Sequence, residues 1–364
     1  MIEATPSVTQ HTTRPGATGK AQPRVGVLLV QLGTPDSPSV PDVRKYLRQF
    51  LMDGRVIDIP VAQRTLLVNG IIAPFRAPKS AKVYREVWTE RGSPLRFYSD
   101  DVTEMLQQRL GDEYFVVLGM RYQNPSLESA LEQLRTKGLE SIVVIPLFPQ
   151  YASATTGSVY EKVMRIVKDW QIIPEMRFVN RFLEHPKFLE AFTLLGRKYM
   201  AEHAYDHFLF SYHGLPERQI HKGDYTGNTC KLNNECCATL HAHNQHCYRA
   251  QCFETTRLLT ARLGIPTEKY TVSFQSRLGK TPWIQPYTED VIIDLAKKGV
   301  KNVLAFSPSF VADCLETTVE IGVEYREVFE KHGGHHWQLV ESLNNHPLWV
   351  ETLADLVLQR STKF

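Results

Sequence analysis

Cysteine is almost absent from this chain except in one place. Of six cysteines in 364 residues, five fall in TCKLNNECCATLHAHNQHCYRAQC (229–252). Long apolar runs are also missing. The longest, VGVLLVQL (25–32) and IVVIPLFP (142–149), fall far short of the roughly 20 residues that span a bilayer. Charge of one sign is not in excess: 42 basic residues face 39 acidic ones, a net of +3. With no basic run and no RNA-binding aromatic motif, nucleic acid is excluded as a partner. Residues 1–23 hold Thr and Pro but no apolar core of a secretory signal, and are expected to form a disordered tail. A cytoplasmic protein is therefore expected, at most peripheral to the inner membrane. In a reducing compartment a disulfide knot is the weakest use for clustered cysteines.

What is present suits a soluble globular protein, with 43% hydrophobic and 22% charged residues in a chain long enough for two cores. Short β-branched or aromatic runs at 25–32, 115–121, 141–147, 207–212, 270–275 and 302–306 predict strands. Their apolar character is continuous and not alternating, as in parallel sheets covered on both faces. Amphipathic stretches at 125–137, 158–169, 250–263 and 287–298 predict the intervening helices, and Pro125-Ser126 with Glu128 supplies helix-start chemistry. The alternation predicts an α/β fold of doubly wound parallel sheets. It is played twice, over 24–180 and 181–364, without a visible sequence repeat.

In such folds ligands bind beyond the carboxyl ends of the strands. His213 stands there, in SYHGLPE (211–217); a structural histidine and a functional one are both consistent with that place. In ADCLETTVEIGVEYRE (312–327), Glu316, Glu320 and Glu324 recur every four residues and would share a helix face. Such a row is either a solvated acidic face or, despite its mutual repulsion, a path for a divalent cation or for protons. Leu315, Val319 and Val323 predict an apolar stripe beside it, and Asp313 is placed either to cap that helix or to join the acidic row. PQYASATTGS (149–158) offers Tyr151 and several hydroxyls at a helix start, where carboxylates or phosphates bind, but it carries no nucleotide motif. Residues 63–77, QRTLLVNGIIAPFRA, read as a core helix or as an apolar lip broken at Asn69-Gly70 and Pro74. For the cysteine stretch, thiolates alone leave zinc and an iron–sulfur cluster open. His241, His243 and His246 lie nearby, but paired CxxC spacing is absent.

Taken in order, LLVQLGTPDSP (28–38), GSPLRFYS (92–99), LGMRYQNPS (118–126), PQYASATTGS, SYHGLPE, TVSFQSRLGKTPW (271–283) and FVADCLETTVEI (310–321) resemble the ferrochelatases. The likeness runs from about residue 25 to 358. It implies two flavodoxin-like halves facing a cleft and insertion of Fe2+ into protoporphyrin with release of two protons, the last step of haem synthesis. His213 matches the family's cleft histidine and Glu316 the carboxylate facing it, with Glu320, Glu324 and Asp313 continuing the acidic relay. Arg121, Tyr122, Tyr151 and Phe310 match the porphyrin pocket, and 63–77 matches the lip, which would also touch a membrane surface. Cys314 stands where some relatives carry a second histidine.

Eukaryotic relatives hold a 2Fe–2S cluster at a C-terminal extension, whereas here LADLVLQRSTKF carries no cysteine. The cysteines instead occupy an insertion at 226–250, just after the His213 loop. Because members of the family hold clusters by non-equivalent cysteine sets, the resemblance favours a 2Fe–2S cluster on Cys230, Cys236, Cys237 and Cys247. Cys252 is left out because it belongs to the CFETTR block that matches cluster-free relatives. Two rival functions remain: a chelatase for another metal or tetrapyrrole, and an inactive haem or metal carrier.

Overall fold

The computed structural model describes residues 23–361, Lys280 excepted. The expected tail at 1–23 lies outside the described residues save for Pro23. Strand β1 (Val25–Gly33) leads to helix α1 (Val40–Leu51). Ser39 starts that helix by accepting from the Asp42 N–H, and Pro41 occupies its first turn, where a missing N–H costs nothing. α2 (Val61–Thr65), a π-helical turn (Leu66–Ile72) and α3 (Ala73–Val87) then run on as one helical segment. Asn69-Gly70 and Pro74 interrupt the apolar run but not the helix: the widened π turn contains the first pair, Pro74 follows directly after it, and Pro78 lies inside α3. α4 (Pro94–Leu110), β2 (Tyr114–Tyr122), α5 (Leu127–Arg135), β3 (Ser141–Pro146), a π turn (Ser153–Gly157), α6 (Ser158–Val167) and β4 (Glu175–Phe178) complete this half.

The second half repeats the plan with α7 (Pro186–Glu202), β5 (His207–His213), α8 (Glu217–Gly223), α9 (Asn234–Cys237), α10 (Tyr248–Leu263), β6 (Tyr270–Gln275), α11 (Thr288–Lys297) and β7 (Asn302–Phe306). A π-helix (Glu316–Glu324) then passes directly into α12 (Tyr325–Lys331), before β8 (His336–Leu339) and α13 (Pro347–Ser361). Among the described residues there are two four-stranded parallel sheets, ordered β2-β1-β3-β4 and β6-β5-β7-β8. Counted from the first strand of each half, both orders are the flavodoxin-like 2-1-3-4. The six expected strands are present. β4 and β8 were not expected, because EMRF and HWQL are short sheet-edge segments with no continuous apolar run.

The apolar runs form the core. Val27 to Val30 are fully buried in the first sheet, and in the second the rings of Phe210 and Phe306 stack at 4.8 Å. α13 returns from the second half to pack on α4 and β3 of the first, where Arg109 pairs with Glu351. The carboxyl ends of the two sheets thus belong to one packed body.

Candidate active site and cysteine pocket

His213 ends β5 and is half-buried. Its Nδ1 lies 2.6 Å from the carbonyl of Gly214. A carbonyl only accepts, so Nδ1 carries a proton, and in the neutral imidazole Nε2 keeps its lone pair. Gly214 is required at this turn, because a Cβ there would lie 2.9 Å from the Gln275 carbonyl and 3.2 Å from the Trp283 ring. The Trp283 ring itself stands 6.3 Å from the imidazole. In the ladder, His213 pairs with Gln275 of β6. The Gln275 side chain in turn donates to the Glu316 carbonyl at 3.3 Å and to the Glu320 carboxylate at 3.0 Å. One amide therefore ties the histidine strand to the acidic helix.

That helix is π-helical over Glu316–Glu324, a form frequent at functional sites. Its wider turn moves the buried face from the stripe predicted for a regular helix. Val323 is 38% exposed, and Ile321 takes the buried place. The three carboxylates also differ from one another. Glu320 is saturated, accepting from Gln275, from the Ser276 N–H and hydroxyl, and from the Tyr325 hydroxyl. Glu324 is exposed, and its carboxyl is raised above the usual range by partial burial and by the charges of Glu320, Glu327 and Glu86. Glu316 is half-buried beside the Cys314 thiol, which burial and the Glu316 charge push well up. Asp313 ties a loop down, accepting from the Ser342 N–H and the Asn344 side chain.

Most of the residues expected at the porphyrin pocket come from the first half. Gly33, with φ +112°, lets β1 and β2 close up where a Cβ would sit 1.9 Å from the Tyr122 carbonyl. Tyr122 is fully buried. Its hydroxyl, the Arg121 guanidinium and the Ser158 hydroxyl all converge on one oxygen of Asp53. Burial alone would raise the Asp53 carboxyl, but the bonds from Ser158 and the Arg55 N–H and the Arg121 charge hold it below the usual range. Arg121 and Tyr122 are thus committed to this network, whereas Tyr151 and Phe310 keep partly open faces. Asp53 was not singled out from the sequence, and neither were Tyr46 and Tyr84. Both phenols lie close enough to Glu316 for its charge, added to burial, to push them well up. They occupy ordinary core positions of α1 and α3, so no sequence signal marked them.

The predicted cysteines come together. Cys230, Cys236 and Cys247 line a half-enclosed pocket of about 20 Å³ with Asp224, His243 and His246, while Cys237 is buried with its sulfur 3.8 Å from that of Cys236. Local chemistry shapes this loop. Asp224 accepts from the Cys230 N–H, Asn233 caps α9 through the Cys236 N–H, and the buried Asn244 side chain donates to the carbonyls of Cys236 and Thr239. A bond with Cys237 lowers the Cys247 thiol, while that same bond and burial raise Cys237. Cys252 is buried apart in α10. Among the described residues, no three His, Cys, Asp or Glu side chains already sit at metal-holding spacing.

The build is shared with solved chelatases. SirB from Bacillus subtilis with Fe3+ superposes with a TM-score of 0.52 at 11% identity, over 93% of this chain and 96% of that one. The sirohydrochlorin chelatase SirB from Bacillus subtilis subspecies spizizenii, in complex with cobalt, gives 0.50 at 12%, over 92% and 94%. At that identity the likeness is one of fold, and the fold is the α/β chelatase type. The sequence narrows it. The family model for ferrochelatase matches residues 24–361. The ferrochelatase of Legionella pneumophila (strain Lens) is 46% identical over 334 residues, 92% of this chain and 98% of that one. That of Coxiella burnetii (strain Dugway 5J108-111) is 45% identical over 333 residues, 92% and 93%. The chain belongs to the ferrochelatase family. It is an enzyme of haem biosynthesis that inserts metal into a porphyrin.

Proposed function

We propose that the enzyme inserts Fe2+ into protoporphyrin IX between His213 and Glu316. The single observation that carries this reading is the His213 Nδ1–Gly214 carbonyl bond, which leaves Nε2 a free base on the strand that Gln275 ties to Glu316. Two pyrrole N–H bonds must break as Fe2+ forms bonds to all four ring nitrogens, and both protons must leave. Nε2 accepts a proton, or holds the cation briefly as a neutral ligand. Glu316 supplies the hard carboxylate that draws Fe2+ from water. Glu324, exposed and easier to protonate, suits the outer end of a relay in which the saturated Glu320 acts as the fixed middle and Asp313 anchors the helix start. Tyr151 and Phe310 offer ring faces to the macrocycle, and the Asp53-bound Arg121 and Tyr122 hold the opposite wall in shape.

Two further assignments belong to this reading. The four thiols Cys230, Cys236, Cys237 and Cys247 suit a 2Fe–2S cluster in chemistry and number. Their pocket is small, so the sulfurs must close around the cluster and not receive it ready-made. When bound, the cluster supplies a four-point cross-link of the insertion. The lip exposes Leu66, Ile71 and Phe75 beside Arg76, Lys79 and Lys82, a pattern suited to peripheral contact with the cytoplasmic face of the inner membrane. No helix among the described residues is long and apolar enough to cross a membrane.

The test is anaerobic incubation with Fe2+ and protoporphyrin, following the haem bands, on protein whose own spectrum is recorded first. The expected results are visible absorption beyond 400 nm as isolated, haem formation by the wild type, and a loss of about 100-fold or more in Glu316→Gln. Colourless protein removes the cluster, and undiminished turnover in Glu316→Gln removes the metal-site assignment.

A further inference from the structure

Helix α10 begins at the cysteine pocket, and its first turn reaches outward in several directions. Cys247 faces the pocket. The next residue, Tyr248, is buried, and its hydroxyl donates to the backbone carbonyl of His213 at 2.9 Å. Arg249, also buried, donates to the Asn233 carbonyl at the start of α9 and to the Gln285 carbonyl. The Gln251 side chain accepts the Tyr151 N–H at 2.8 Å. Four nearly consecutive residues thus join the pocket, the candidate base, the vicinal cysteines and the porphyrin wall.

Tyr248 has a specific consequence for His213. The imidazole is oriented by its bond to Gly214, but that bond fixes the ring only relative to its own turn. The Gly214 N–H ties one side of the turn to the Gln275 carbonyl at 2.9 Å. The Tyr248 hydroxyl adds a second anchor from another element, on the carbonyl of the histidine itself. A buried hydroxyl bonded to a carbonyl is held firmly, since either group left alone would lose its water without compensation. Displacements well under an ångström at a proton-accepting atom change rates severalfold.

We infer that Tyr248 is the positioning residue for His213, and that through it the cysteine pocket sets the geometry of the base. The second half of this inference rests on the reading of the pocket as a cluster site. Closing four sulfurs around a cluster draws on Cys247, the N-terminal end of α10, and so moves or fixes the adjacent tyrosine. The insertion then acts on the chemistry through one side chain, without itself touching the porphyrin.

The experiment compares Tyr248→Phe with Tyr212→Phe in the full chain. Tyr212 also loses a buried hydroxyl, one bonded to Thr256 and not to His213. Tyr248→Phe is expected to lower kcat for haem formation about tenfold, with KM for porphyrin within about twofold and the visible spectrum retained. Tyr212→Phe is expected to lower the melting temperature while kcat stays within about twofold. An unchanged kcat in Tyr248→Phe, or an equal loss in Tyr212→Phe, overturns the positioning role. A double-mutant cycle with Cys236→Ser reads the coupling; wild type depleted of metal by a chelator replaces Cys236→Ser if that variant does not accumulate. Loss of the cluster should slow the wild type severalfold and add little to Tyr248→Phe, whereas additive losses overturn the coupling. If the wild type holds no cluster, the cluster reading falls and the coupling with it. The kcat of Tyr248→Phe still decides the positioning role.

Discussion

At the scale of single residues, the site divides by how far its partners lie along the chain. His213 was legible because it stands at the carboxyl end of a strand, where an α/β fold exposes its working groups, and Glu316 because it opens a row of glutamates four residues apart. Asp53 and Asp58 were not, since a carboxylate in a loop says nothing about a partner 68 or 160 residues away. Asp58 precedes the lip and binds Arg218 and Lys222 of α8, the helix just after the His213 turn. Burial raises its carboxyl, but bonds from both cations outweigh that, and the group lies below the usual range. A carboxyl depressed by folding stabilises above its unfolded value, near 3.9, and ceases to do so as pH falls through its folded one. Asp58→Asn should therefore melt about 1–3 °C lower than wild type at pH 7, and the gap should close below about pH 4. A gap that is the same at pH 3 and pH 7 would show that the charge of Asp58 is not what holds the loop.

At the scale of elements, long segments with clear periodicity were readable and their distortions were not. The acidic row was visible as a four-residue recurrence, yet its π-helical form, which saturates Glu320 and leaves Glu324 exposed, depends on Gln275, Ser276 and Tyr325. The lip was visible as an apolar run. Its shape as one helical segment runs through the π turn and past Pro74 and Pro78. That shape leaves Leu66 73% and Phe75 74% exposed. Two such side chains contribute about 1.5–3 kcal/mol each on leaving water. Leu66→Ser with Phe75→Ser should then cut sedimentation with anionic lipid vesicles at least tenfold while soluble-substrate turnover persists. Unchanged sedimentation would place membrane contact elsewhere.

At the scale of the whole molecule, the two halves share one strand order without visible sequence repetition, because a buried parallel sheet asks only for apolar β-formers and not for particular ones. The return of α13 to the first half was not legible, since its apolar faces fit either sheet equally well. Packing of α13 on α4 and β3, together with the Arg109–Glu351 pair, holds the two halves as one frame. On the proposed reading porphyrin binding and metal insertion are separable, the first resting on the walls and the second on His213. The most direct measurement is therefore a single-turnover reaction of His213→Ala under anaerobic conditions. Porphyrin binding is followed by fluorescence quenching and insertion by the haem bands. The expected result is porphyrin affinity within about threefold of wild type, with insertion slowed by about 100-fold or more. Insertion at the wild-type rate by protein that binds porphyrin normally would contradict the assignment of His213 as the base of the reaction.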